Sequence, residues 1–444
     1  MSGQAPDPTV SQPAGSPPQY TIVLAPGHGG APSTQKEDKW DPRTRSYLGR
    51  YLYGDIYKNI HEHRLVLPLS MELQRLLTLT ESAAGWQEFE KILSQFSTQQ
   101  KFPRIVLKSH LTRTDSYDDH NFSKQDDRNH AAWRLYDYPD ARTGRMQPGR
   151  LSRINALKPW LVVAIHTTPA GRSQPGGMGV VLAPGYQTFN TLRLISLGQK
   201  SIQSFYRMPW ADKFLITDRG WSQYEGARSD AWVYFHGWKT RGGRSLRRWP
   251  EMNRGLRQNM LTWRYADPPG WEKLALRNEA GPYSTVHKNF RATGPFWDRE
   301  RGQAEAWRRE GGPLGYGGDN YYASDQLLRY VQYGARLQSS QLRRKGALNG
   351  IIKPFVSAYT LPTYVNAINA YLEIAHTNRS KDRQLLEKKY YQQTARSLAV
   401  GIYALFQQIS LKPGYGPWRP RAAALDFKKY ADLPGGNYFE QVVK

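Results

Sequence analysis

The feature that most constrains this chain is a short apolar run, Thr21-Ile22-Val23-Leu24, that breaks at once into Ala25-Pro26-Gly27-His28-Gly29-Gly30. A β-branched run stopped by Pro and paired glycines reads as a strand closed by a tight turn at its carboxyl end. The plan recurs. Arg104–Leu111 runs into Thr112-Arg113-Thr114-Asp115, Trp160–Ile165 ends at His166, and Gly179-Val180-Val181-Leu182 is a fourth strand-like run. Helical spacing lies between them: Leu65, Val66, Leu69, Leu73, Leu76 and Leu77 share one face of a helix opening at Glu62, with Pro68 in its second turn. A short helix is predicted near Arg150–Lys158. Strands alternating with helices predict an α/β fold, a twisted and largely parallel sheet flanked by helices. Open sheets of that kind bind ligands at the carboxyl ends of their strands, which is where His28 and His166 fall.

From about Pro184 to Pro354 the pattern changes. Seven of the fourteen tryptophans lie between Trp210 and Trp271, interleaved with the arginines from Arg241 to Arg264. The stretch is too long for a loop and predicts an aromatic- and Arg-rich inserted subdomain over 184–354. Helical character returns at Ser324–Gln341, followed by the apolar segment Ala370-Tyr371-Leu372-Glu373-Ile374 and a long helix over Lys381–Gln408. The expected organisation is a flexible leader at 1–19, an α/β domain built from 20–183 and 355–410, the insert, and an irregular tail at 411–444.

Composition narrows the function classes. There are no cysteines among the 444 residues, which excludes disulfides, thiolate nucleophiles and Cys-based zinc sites. No apolar run approaches the roughly 18 residues that a membrane span needs. Lys and Arg number 62 against 37 Asp and Glu, a formal charge of +25 that favours polyanionic partners. No nucleic-acid-binding motif accompanies that charge, so nucleic acid is not the expected partner. Residues Ser2–Gln19 are rich in Pro, Ser, Gly, Gln and Ala and lack the basic and apolar regions of a signal peptide. The expectation is either a cytosolic protein or the mature start of an exported one.

Taken singly, the candidate site residues are weak. His28 between two glycines suits any tight turn, and His166 at the end of an apolar strand suits a core histidine. Glu62 at a helix start suits the helix dipole. Glu373 inside Leu372–Ile374 is the least ordinary, because a carboxylate there is costly unless it is paired or working.

In order, however, these segments resemble the zinc-dependent N-acetylmuramoyl-L-alanine amidases, which are peptidoglycan hydrolases. Pro26-Gly27-His28-Gly29-Gly30 is similar to their opening histidine motif, and Glu62 with Leu69, Leu73 and Leu76 to their ligand glutamate and its helix. Leu111-Thr112-Arg113-Thr114-Asp115 is similar to their second strand end, and Arg150 and Asn155 precede His166 as in the family. Leu372-Glu373-Ile374, with Asn378 and Asp382 after it, is similar to the segment that bears their catalytic glutamate. The resemblance covers Thr21–Val181, with insertions, and Ala358–Gln408, but not the Trp-rich stretch.

What it implies is a phosphorylase/hydrolase-like fold and one zinc ion held by His28, Glu62 and His166. It also implies Glu373 as general base and acid, and His376 and Asn378 as candidates for substrate contact. The substrate would be peptidoglycan, with other anionic cell-wall polymers as further partners, in the periplasm or cell wall of a bacterium. His61 and His63 flank Glu62, so either is an alternative ligand. Ala375-His376-Thr377-Asn378 replaces the family's Phe-Leu-Ser-Asn and is one residue shorter. Two readings of other kinds stay open at this point: a non-catalytic wall- or polyanion-binding protein on the same fold, and another zinc amidohydrolase or carboxypeptidase.

Overall fold

The computed structural model describes residues 16–28, 54–114, 150–172, 175–182, 318–352 and 367–421. It also describes short pieces at 40–41, 46–47, 138–139, 146–147, 201, 355–356, 361, 365, 423–425 and 427. In chain order the elements that build the site are β1 (Gln19–Pro26), β2 (Ile56–Tyr57), β3 (Ile60–His61), α1 (Glu62–Thr78), α2 (Ala83–Phe96), β4 (Val106–Leu111), α3 (Arg150–Ala156), β5 (Leu161–Thr168) and β6 (Gly179–Leu182). After them come α4 (Gly318–Gln338), α5 (Ser340–Arg343), β7 (Phe355–Val356), β8 (Ile368–His376), α6 (Ser380–Arg383) and α7 (Tyr391–Phe406).

Six strands form one sheet in the order β7-β6-β8-β5-β1-β4. The four from β8 to β4 run parallel, and β6 joins β8 antiparallel. The fold is thus α/β, a mostly parallel sheet flanked by helices. Its central strands have no solvent face: every residue of β8 is buried, as is β5 from Leu161 to Thr167. Near-continuous apolar runs are what strands covered on both sides require. α1 packs on β1, β4 and β5, α4 packs on β8 and β6, and α7 lies against both helices.

Three expectations change. The helix predicted inside the insert is α4, which buries Leu327, Leu328, Tyr330, Val331 and Tyr333 in the same core as the sheet. Residues of 318–352, expected within the insert over 184–354, thus pack in the α/β core. The insert's Trp-rich part lies outside the described residues. The helix expected over Lys381–Gln408 is broken: α6 passes into a single 3-10 turn, Glu387 takes an extended backbone, and α7 begins at Tyr391. The break turns Leu385 and Leu386 into the core. Finally, α2 has no counterpart among the sequence-based expectations. Ser82 caps it, its hydroxyl accepting from Gly85 N–H at 3.0 Å, and Trp86, Phe89, Leu93 and Phe96 form its buried stripe. α1 forms as expected and runs through Pro68.

Candidate metal centre

Parallel strands bring their carboxyl ends to one edge, and the candidate residues gather there. His28 lies two positions beyond β1, and Glu62 opens α1. His166 sits near the end of β5, paired in register with Glu373 of β8. Side chains of parallel neighbours in register leave the sheet on the same face. A bulge at once follows Glu373, the register shifting between Glu373 and Ala375. Bulges of this kind re-aim side chains beside active sites.

The backbone that presents His28 is tightly held. His28 itself has φ 56, a left-handed conformation costing a non-glycine residue about 1–2 kcal/mol. Two buried arginines offset that cost with hydrogen bonds to carbonyls. Arg113 donates to Gly27 O at 2.9 Å and to His63 O at 2.8 Å, and Arg150 donates to His28 O at 3.0 Å. The arginines of the Leu-Thr-Arg-Thr-Asp and Arg150 segments thus act as backbone clamps. Gly27 leaves room for a ligand: a Cβ there would stand 2.6 Å from His166 Nδ1 and 2.9 Å from Ile165 O. Gly27→Ala is accordingly expected to push the His166 ring aside and to cost about 1–3 kcal/mol by overpacking, read as lost metal uptake and a lower melting temperature.

Three donor side chains converge. His28 Nε2 is 3.4 Å from Glu62 Oε2, His166 Nδ1 is 3.0 Å from Glu62 Oε1, and the three groups lie within 4.8 Å of one another. The three residues are thus close enough to hold a metal ion, and two histidines with one carboxylate are a donor set that suits zinc. Tyr371 stacks on His166 at 4.3 Å between ring centroids and fixes its plane. Glu62 is 1% exposed, and each of its oxygens accepts one backbone N–H. Thr167 N donates to Oε1 at 2.9 Å and Asp55 N to Oε2 at 2.7 Å. Burial works against ionising Glu62, but the neighbouring His28 and His166 outweigh it and hold the carboxyl at about 2. Neither His61 nor His63 joins the group that could hold a metal among the described residues; their rings meet edge to face, 5.5 Å between centroids.

Glu373 is the opposite case. Its side chain is 4% exposed, and Oε2 has no hydrogen-bond partner among the described residues. Burial, reinforced by the charges of Glu62 and Asp55, raises its pKa well above the usual carboxylate range. A buried acid with an unspent oxygen can carry a proton.

The two candidates for substrate contact both make hydrogen bonds within the fold. His376 is 3% exposed, with Nδ1 2.7 Å from Gly177 O and 3.3 Å from an Asp382 oxygen. Asn378 accepts from Ala170 N at 2.9 Å and donates to Ala170 O at 2.7 Å. Both are committed to the segment after β5, since a buried backbone must find partners. Asp55, Thr167 and Thr377 are residues of the centre that sequence reasoning missed. None stands at a strand end with an apolar run to mark it except Thr167, hidden beside His166.

No family model and no curated protein matches the chain. Among solved structures, an N-acetylmuramoyl-L-alanine amidase from Clostridium difficile 630 is similar at 12% identity and TM-score 0.30, over 86% of this chain and 95% of the other. An N-acetylmuramyl-L-alanine amidase from Mycobacterium abscessus is similar at 10% identity and TM-score 0.33, over 86% and 96%. One from Mycobacterium smegmatis is similar at 15% identity and TM-score 0.20, over 40% and 64%. At such low scores these overlaps carry no argument, and the centre is read from its own residues.

Proposed function

We propose that the protein is a zinc-dependent peptidoglycan amidase that hydrolyses the amide between N-acetylmuramic acid and the L-alanine of the stem peptide. The observation that carries the reading is the convergence of His28, Glu62 and His166 beside the buried Glu373 carboxylate, whose Oε2 has no partner. The choice of amide comes from the motif order over Thr21–Val181 and Ala358–Gln408, which resembles that family. Bound there, zinc supplies Lewis acidity, polarising an amide carbonyl and lowering the pKa of water towards about 7.

The chain's own residues do the rest. Glu62, ionised and held by two backbone N–H groups, supplies the negative charge that favours a dication over a water-filled gap. Glu373 takes the proton of the attacking water and passes it to the leaving nitrogen as the C–N bond breaks, so that a carboxylic acid and an amine are formed. Its raised pKa brings proton uptake and release closer in energy than for an exposed glutamate.

The same reading puts the protein at work in the periplasm or cell wall. A formal charge of +25 favours a wall polymer that carries carboxylates and phosphates. Pelleting with purified peptidoglycan is expected to weaken as salt is raised, because surface charges are screened within about 10 Å at 0.1 M. Equal pelleting at low and high salt would remove charge from the account of binding.

A further inference from the structure

The β2–β3 hairpin is fastened to the metal centre at both of its ends. Asp55 N, just before β2, donates to Glu62 Oε2 at 2.7 Å, and Glu62 N, just after β3, donates to Asp55 O at 2.9 Å. Gly54 fits against the same group: with φ +83, a Cβ there would stand 2.5 Å from Glu62 Oε2 and 2.6 Å from His28 Cδ2. The chain turns at Lys58 and Asn59, three residues out, so the tip stands about 10 Å from Glu62 at roughly 3.4 Å per strand residue. Lys58 takes φ 54, a left-handed conformation that glycine or asparagine fills more easily in such turns. Strain of this kind persists only where the surroundings fix it, and it collects at ligand clamps. Tyr57 beside it is half-buried, and two cations lie over its ring: Lys58 Nζ at 5.5 Å from the centroid and Arg383 Cζ at 5.8 Å. Arg383, the last residue of α6, donates through one terminal nitrogen to Thr377 O, just past the end of β8. Its other N–H groups make no hydrogen bond among the described residues, and neither cation pairs with a carboxylate there.

We propose that Tyr57, Lys58 and Arg383 form a subsite for a free carboxylate on the peptide arm of the substrate, close to the scissile amide. The inference rests on the reading of the centre as a muramoyl-alanine amidase. Two like charges gathered on one ring repel each other, and an anion between them turns that repulsion into attraction. Arginine's planar fork matches a carboxylate, the lysine adds a point charge, and the ring holds both cations in place beforehand. Cations already ordered in this way spare part of the cost of binding. The centre's own carboxylates do not fill the subsite, since Glu62 and Glu373 are buried and Asp55 Oδ2 is enclosed as well. Distance and chemistry then choose the anion. An extended peptide advances about 3.3–3.6 Å per residue, so the span from Glu62 to the hairpin tip covers about three residues. The carboxyl of the muramic acid is consumed in the scissile amide itself, so an ionised carboxylate this near the bond belongs to the peptide.

The test uses two soluble muramoyl peptides, one with its peptide carboxylates free and one with them converted to primary amides, each hydrolysed by the zinc-loaded full chain. The readout is the ratio of the two kcat/KM values, which measures discrimination between them. The wild-type protein is expected to favour the free carboxylate by about 10-fold or more, the scale of a charge-assisted hydrogen bond, with the difference carried by KM. Arg383→Gln removes the charge and the fork and is expected to bring the ratio within about 3-fold of one. Lys58→Asn removes the other charge and suits the left-handed turn; it is expected to lower the ratio about 2–5-fold, as for an exposed ion pair. The exposed lysine variant serves if Arg383→Gln fails to fold. A wild-type ratio near one, or the wild-type ratio kept in both variants, would overturn the inference and leave the amidase reading standing. Hydrolysis of neither peptide by a protein that holds its zinc would overturn both.

Discussion

Glu373→Gln is expected to lower turnover of peptidoglycan by roughly 10²–10⁴-fold, the scale of losing a general acid–base, with zinc content kept. The change preserves size and the capacity for hydrogen bonds but removes the ability to accept a proton. The fold is expected to gain: the native carboxyl is buried, Oε2 has no partner, and the charges of Glu62 and Asp55 oppose its ionisation. A neutral amide avoids that repulsion, so the melting temperature should hold or rise as activity falls. Such opposite movement marks a site where function is kept at the expense of stability. Turnover near the native level would move the proton carrier elsewhere. His376, held through its Nδ1 by Gly177 O and Asp382, would then be the next residue to test.

His28→Ala and His166→Ala carry the second large effect. Each is expected to remove most bound zinc, because two ligands of three do not hold a catalytic ion well, and to abolish activity. Their structural costs should differ. His28 is partly exposed, whereas His166 is buried, stacked on Tyr371 and paired with Glu62, so His166→Ala leaves a cavity and a buried carboxylate short of a partner. Metal analysis and thermal melting on the same preparations separate the two. Full zinc occupancy in both variants would sink the ligand assignment.

Much of this was legible in the sequence, for a physical reason. His28, Glu62, His166 and Glu373 each interrupt or terminate a periodic apolar segment, and a polar group in that place stands out. The sheet was legible because its central strands are buried on both faces and read as unbroken apolar runs. Other parts were not. Asp55 and Thr167 lie more than one hundred positions apart, and nothing in either neighbourhood marks the backbone N–H groups that the fold turns onto Glu62. α4 was assigned to the Trp-rich stretch because the two adjoin in sequence; its docking on β8 is a tertiary fact. α2 had a signal, the Ser82 cap and the spacing of Trp86, Phe89, Leu93 and Phe96, diluted by the glycine in its first turn.

The most direct test of the account is product analysis on purified peptidoglycan digested by the zinc-loaded protein. New amino groups on L-alanine, without new reducing sugars and without free terminal D-alanine, are what a muramoyl-alanine amidase must produce. New reducing ends, release of terminal D-alanine, or an undigested wall from a protein that holds its zinc would contradict it.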